Sequence, residues 1–261
     1  MTDVKQYGPW ALIAGGSEGV GAALADQLAA DGFHLVLVAR RPGPLEETAA
    51  AVRRHGGQVR TIAVDLTAPA AVAEIAAATA DVEVGLLIHN AGANSHGGRF
   101  LDRDLVGFRR VVDLGISAML ALVHRYGQPM RERGRGGILV VGSLAGYVGT
   151  STESVYGGTK AFGRIFVEGL WAELADQGVD VLQLVLGVTR TPAMERAGLD
   201  FDLPGLQISE PADVAREGLA ALGKGPVHVV SGNEELVARR MDQDRSALVR
   251  ATEKVMRRLV P

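Results

Sequence analysis

The sequence predicts an α/β fold: a three-layer, doubly wound architecture around one mostly parallel sheet of seven strands. Three observations predict it. Short apolar runs rich in Val, Ile and Leu recur along the 261 residues. Within these runs polar residues mostly do not alternate with apolar ones, as expected of strands covered on both faces. Longer Ala- and Leu-rich stretches with helical spacing separate them, and strand–helix–strand repetition implies right-handed crossovers within one sheet.

The runs are WALIA (10–14), LVLVA (35–39), VRTIAV (59–64), VGLLIH (84–89), ILVVG (138–142), VDVLQLVL (179–186) and VHVVS (227–231). Between the early runs lie GAALADQLAADG (21–32), PLEETAAAVRRHG (44–56) and PAAVAEIAAATA (69–80), two of which end at glycine, a common helix stop. Long helices are expected at 103–133 and 154–177. The region 193–208 (AMERAGLDFDLPGLQI) breaks the rhythm; it mixes Leu199, Phe201, Leu203 and Leu206 with charges and is expected to form a lid. The stretch 233–259 reads as one or two helices, with apolar Leu236, Val237, Met241, Leu248, Val249, Val255, Met256 and Leu259. No linker rich in Pro, Gly or Ser divides the chain, so one domain spanning 1–261 is expected.

Bulk properties exclude several classes. Lys+Arg number 27 against Asp+Glu 30, a formal net charge of −3 without the footprint of a nucleic-acid or anionic-membrane binder. The densest basic stretch, RERGRGG from Arg131, reads as a solvated loop. With no cysteine, disulfides, thiolate catalysis and cysteine-ligated zinc are excluded. MTDVKQYGPW lacks the apolar run of a signal peptide, and no segment reaches membrane-span length; a cytoplasmic location is the expectation.

AGGSEGVG (14–21) lies after the first predicted strand and opens the first helix. Gly15, Gly19 and Gly21, with Ser17, Glu18 and Val20 between them, form a turn whose free N–H groups and helix dipole suit a diphosphate. A Cβ on the turn would block that approach. Glycine is abundant here, 34 residues, so the spacing alone is weak; its place between strand and helix carries the reading. At the end of the second strand, neutral Ala39 is followed by Arg40 and Arg41. A carboxylate there would accept ribose hydroxyls, whereas arginine pairs with a 2′-phosphate, so NADP(H) is favoured over NAD(H). Glu18 weighs against this by adding negative charge nearby.

YGGTK (156–160) places Tyr156 and Lys160 at i and i+4, on one face of a helix. In isolation Tyr156 would be read as a packed aromatic, Lys160 as a solvated charge and Ser143 as a loop serine. Together with the glycine turn, VDL (64–66), NAG (90–92), Ser143 and GVTRT (187–191), in that order, the chain resembles the short-chain dehydrogenase/reductase superfamily over roughly residues 8–231. The NADPH-preferring carbonyl and ketoacyl reductases are the most similar branch.

The resemblance implies a Rossmann fold and roles at matching positions. Asp65, with Leu66 beside it, would meet the adenine amino group. Asn90, Ala91 and Gly92 would line the cofactor. Gly187, Thr189 and Thr191 would stand near the nicotinamide carboxamide and diphosphate. Ser143, Tyr156 and Lys160 would be catalytic, with Tyr156 exchanging a proton with a carbonyl oxygen, Ser143 holding that oxygen, and Lys160 holding the nicotinamide ribose. A neighbouring ammonium favours a phenolate, so the Tyr156 pKa is expected to fall below its usual ~10. One departure stands out: VVDLGIS (111–117) puts Gly115 where the family has an asparagine, so either water, Asp113 or Ser117 serves the proton relay or the relay is weaker. The expected function is an NADP(H)-dependent oxidoreductase acting on a moderately apolar ketone, aldehyde or alcohol, as a homodimer or homotetramer. Loops 93–100, 144–151 and 187–208 would surround the substrate. The alternative is an NADP(H)-binding sensor or scaffold with little turnover.

His34, His55, His89, His96, His124 and His228 show no metal spacing and are read as structural or exposed, with His96 the one placed to touch substrate. No G-x-S-x-G elbow surrounds Ser143, which removes a hydrolase reading.

Overall fold

The computed structural model describes residues 1–202, 206–241 and 244–259. A short helix α1 (Val4–Tyr7) leads into β1 (Trp10–Ala14), α2 (Gly19–Ala30), β2 (His34–Ala39), α3 (Pro42–Arg53), β3 (Val59–Ala63), α4 (Ala71–Ala78) and β4 (Val84–His89). Then come α5 (Leu105–Val112), a single π-helical turn (Asp113–Ser117), α6 (Ala118–Arg133), β5 (Gly136–Ser143) and α7 (Ser154–Leu174). The last part holds β6 (Val179–Leu186), β7 (Val188–Thr189), α8 (Pro192–Arg196), β8 (Ile208–Ser209), α9 (Pro211–Ala221), β9 (Val227–Val229), α10 (Glu234–Arg240) and α11 (Arg245–Leu259). Among the described residues no helix is long and apolar enough to cross a membrane.

Seven strands form one sheet in the order β3-β2-β1-β4-β5-β6-β9, every pair parallel. Each predicted run is one of these strands. The order reverses between β1 and β4, and in such sheets the crevice at that reversal, at the strands' carboxyl ends, takes ligands.

Side chains alternate across the sheet and sort the core into two layers. Ala11, Ile13, Leu35, Leu37, Leu86 and Ile88 face α2, α3 and α9 through Leu24, Leu28, Leu45, Val52 and Val214. Leu12, Ala14, Val36, Val38, Leu87 and Val140 face α4, α6 and α7 through Ile75, Met119, Leu122 and Val167. Burial of each large aliphatic side chain contributes about 1.5–3 kcal/mol. This explains why the strands read as continuous apolar runs: both faces are covered. The edge strand β3 is only half-buried, and Arg60 and Thr61 are tolerated there.

The long helix expected at 103–133 is interrupted by the π turn at 113–117, and the helix expected from 154 stops at Leu174. In the region expected to be a lid, β7 pairs with β8 to make a two-stranded ladder that brackets α8; Leu203 lies outside the described residues.

Candidate active site

The site lies at the carboxyl ends of β1, β4, β5 and β6. The chain leaves β1 through Gly15, whose φ of +89° suits glycine. A Cβ on Gly15 would sit 2.7 Å from the Ala91 amide nitrogen, and one on Gly21 only 1.9 Å from the Gly15 carbonyl oxygen. The turn is thus packed so tightly that side chains are excluded. Glu18, the residue preceding α2, makes no side-chain bond to the helix, so the first N–H groups of α2 remain available. This cradle fits a diphosphate.

The other residues expected around it divide. Val20 and Leu66 point into the core, at 5% and 7% exposure, and offer only backbone to a ligand. Asn90 does not aim its amide outward; its Nδ2 donates to the Gly15 carbonyl (2.8 Å) and braces the turn. The Ser17 carbonyl accepts from the Thr48 hydroxyl (2.9 Å). Gly187 is backed closely by Asn233, and the Thr189 hydroxyl donates to the Gly187 carbonyl (3.3 Å). Thr191 caps α8, and its methyl would lie 3.0 Å from a Cβ on Gly19, so α8 closes against the glycine turn.

At the end of β2, Arg40 is exposed, while Arg41 donates to Glu18 (2.8 Å). Glu18 also takes both terminal nitrogens of Arg196 from α8, and this pairing is the chief cause of its lowered pKa. Glu18, expected to line the cofactor turn and to add negative charge there, is therefore the hub of a link between β2, the glycine turn and α8. Asp65 accepts from the Thr67 amide (3.0 Å) and hydroxyl (2.8 Å), and from Arg110 (2.9 Å). Burial pushes its pKa up, but the Thr67 bonds and the Arg110 and Arg40 charges outweigh that and hold the carboxyl below its usual range.

Ser143, Tyr156 and Lys160 come together. Ser143 ends β5, and its Oγ accepts from the Ala145 amide (3.1 Å). Tyr156 and Lys160 lie on α7, with Lys160 Nζ 5.6 Å from the Tyr156 ring centre. The ammonium, 9% exposed, donates to the Val141 carbonyl at 2.9 Å. The expected fall in the Tyr156 pKa is corrected here. Burial pushes the phenol up to about 12, a hydrogen bond with Ser143 pulls it back only in part, and the Glu153 charge raises it further. Burial also drives Lys160 down to about 8. Desolvation, not the ammonium that the sequence suggested would dominate, sets the Tyr156 shift.

Gly115 sits at the centre of the π turn. A Cβ there would lie 3.1 Å from Thr159 Cβ, and its own Cα is 3.9 Å from where a Cβ on Gly92 would be. It therefore occupies a place beside Gly92 and the Tyr156–Lys160 helix, where no larger residue fits without displacing Thr159. Asp113 and Ser117 bond each other at 3.5 Å.

His96 packs edge-on against Phe108 and lies 3.4 Å from Asp104, so its ring is occupied by α5. His89 is buried, at 2% exposure, and neither ring nitrogen has a hydrogen-bond partner of normal geometry. Burial and the Lys160 charge pull its pKa down to about 3, so it is neutral. Sequence reasoning missed Glu153, which lies three residues before Tyr156 and accepts from Asn94 Nδ2 at 3.2 Å. Spacing of one turn from a candidate tyrosine was the available signal.

This arrangement defines a class: a doubly wound dinucleotide-type fold whose carboxyl edge carries a half-buried phenol and hydroxyl beside a buried ammonium. The short chain dehydrogenase family model matches residues 9–200. A 7beta-hydroxysteroid dehydrogenase of Clostridium sardiniense is 29% identical over 247 residues, 94% of either chain. A very-long-chain 3-oxoacyl-CoA reductase of Neurospora crassa is 34% identical over 231 residues, covering 85% of this chain and 67% of that one. Among solved structures, a 7beta-hydroxysteroid dehydrogenase superposes with TM-score 0.87 at 26% identity, covering 96% of this chain and 99% of that one. A short-chain dehydrogenase from Sphingobium yanoikuyae in complex with NADPH gives 0.80 at 32% identity, covering 92% and 94%. The chain belongs to the short-chain dehydrogenase family and is an oxidoreductase.

Proposed function

We propose that the protein interconverts a ketone or aldehyde and the corresponding alcohol with NADP(H), using Tyr156 as the proton donor and acceptor. The observation that carries this reading is the meeting of the Ser143 and Tyr156 hydroxyls at the sheet's carboxyl edge with the Lys160 ammonium buried behind them. Gly15, Gly19 and Gly21, with the N-terminus of α2, would hold the diphosphate, and Asp65, Ala91, Gly92 and Thr191 would flank the rest. Bound there, the reduced nicotinamide supplies hydride to the carbonyl carbon. Ser143 donates a hydrogen bond to the carbonyl oxygen, and Tyr156 delivers its proton as charge grows on that oxygen. A phenol held near 12 stays protonated at neutral pH, which suits carbonyl reduction. In alcohol oxidation the same group must first lose that proton.

Arg40 and Arg41 support a 2′-phosphate, and the relative solved with NADPH points the same way. Glu18 opposes it by occupying Arg41. The relatives' names, hydroxysteroid dehydrogenase and 3-oxoacyl-CoA reductase, support a largely apolar substrate. The segment around α8 would act as a lid, tied to the glycine turn by Arg196 and Glu18. Self-association is proposed from the groove between α6 and α7, about 750 Å³ and lined by Leu120, Phe166 and Leu170, with Ile165 and Trp171 exposed on α7.

One observation favours the alternative of a sensor with little turnover: Gly115 brings no amide to the space beside Lys160. Absorbance at 340 nm with NADPH and a panel of ketones separates the two. Oxidation of NADPH with any member supports the reductase; tight NADPH binding without oxidation across the panel supports the sensor.

A further inference from the structure

The segment between Ser143 and Tyr156 joins the two hydroxyls of the site, and outside one short 3-10 turn (Leu144–Gly146) and the start of α7 it has no regular structure. The seven residues 147–153, outside any regular element and between two groups that must meet at one atom, need an external support. The C-terminal tail supplies it. Arg240, at the end of α10, donates through Nη1 to the Leu144 carbonyl at 2.6 Å, one residue past Ser143. Arg245, at the start of α11, donates to the Tyr147 carbonyl (2.8 Å) and back to the Arg240 carbonyl (2.6 Å). Val237 packs on the apolar cluster of Leu144, Tyr147 and Val185. At the far end of the segment, the Arg240 charge acts on Glu153, one turn before Tyr156.

We propose that Arg240 is a positioning residue of the reaction, fastening the C-terminal tail to the segment that leads from Ser143 to Tyr156. The proposal rests on the reductase reading above. The half-buried guanidinium does two things. Its hydrogen bond fixes the backbone that follows Ser143, and its charge favours the ionised form of Glu153, the carboxylate whose charge raises the Tyr156 phenol. Glu153 is faced by Asn94 and Arg240; Tyr156 is faced by Ser143, Lys160 and Glu153. The Arg164 guanidinium lies 5.0 Å over the Tyr147 ring and pairs with Glu168, so α7 also holds Tyr147. The tail, longer than the sheet and its crossovers require, thereby becomes part of the catalytic apparatus.

The test uses the full chain and the variants Arg240→Met, Arg240→Lys and Glu153→Gln. Arg240→Met should lower kcat for ketone reduction about 10- to 100-fold with little change in NADPH affinity, the scale of a small misplacement of reacting groups. Arg240→Lys keeps a cation able to reach the Leu144 carbonyl and should recover most of that loss. In the pH profile of alcohol oxidation, the limb set by Tyr156 should move to lower pH in Glu153→Gln. Hydrogen exchange of residues 144–153, read on the cofactor-free chain, should rise in Arg240→Met while that of β4 does not. An active wild type whose Arg240→Met variant keeps its kcat and exchange overturns the proposal alone. A wild type that reduces no carbonyl, yet shows the exchange change on substitution, overturns the reductase reading instead. Should Arg240→Met not fold, Arg240→Gln replaces it with the same expected loss of kcat, a wild-type kcat there overturns the proposal, and an unmoved limb in Glu153→Gln overturns the electrostatic half.

Discussion

The Lys160 ammonium donates to the Val141 carbonyl at 2.9 Å, two residues before Ser143 on the same strand. One hydrogen bond thus ties the helix carrying Tyr156 to the strand carrying Ser143. The amine is nearly solvent-free, and burial lowers its pKa to about 8. Lys160→Met should lower kcat about 10²- to 10³-fold, the scale for losing one preorganised donor. The charged form is the one that prevails below the folded pKa. Ketone reduction by wild type should therefore decline as pH rises through about 8, and the methionine variant should lack that decline. A pH–rate profile of both proteins checks this.

Glu18 competes with a 2′-phosphate for Arg41. Glu18→Gln should tighten NADPH binding several-fold and Arg41→Ala should weaken it about tenfold, with NADH nearly unchanged by the latter. These pairs are largely exposed, so neither substitution should alter stability by more than about 1 kcal/mol. Titration of both dinucleotides by fluorescence, with a thermal melt alongside, measures each part.

His89 makes the fold sensitive to acid. An unfolded histidine binds its proton near 6.5, whereas the folded one refuses it until about 3. The unfolded state binds more protons in that window, so stability is present above 6.5 and is lost as pH falls toward 3. Between pH 7 and pH 5 the loss from this group is about 2 kcal/mol. Urea unfolding at both pH values should show that loss in wild type, and a smaller pH dependence in His89→Leu by the same amount.

Much of this was legible in the residues. Burial on both faces leaves seven continuous apolar runs, so β1 to β6 and β9 could be read directly. Ser143, Tyr156 and Lys160 could be read as a group only through the family resemblance, which rests on several motifs standing in one order along the chain. What a side chain does once there was less legible. Asn90 braces Gly15, Val20 and Leu66 face the core, and Glu18 gathers two arginines, because these depend on contacts between segments distant in sequence. The Tyr156 phenol moved opposite to expectation because spacing reveals a neighbouring charge but not the depth of burial. The tail's contact with Leu144 joins residues 96 apart and has no sequence signal at all.

Self-association through α6 and α7 predicts that Ile165→Glu or Trp171→Arg, both exposed apolar positions on α7, shifts the protein to a smaller species. Light scattering coupled to gel filtration, with circular dichroism to confirm folding, measures it. An unchanged mass would remove this face as the interface.

Tyr156→Phe tests the central claim most directly, because it deletes one oxygen and keeps the ring. NADPH oxidation with a ketone turned over by wild type should fall at least about 10²- to 10⁴-fold, the range for losing a positioned acid, with NADPH affinity retained. A phenylalanine variant that reduces the ketone at the wild-type rate would contradict the account.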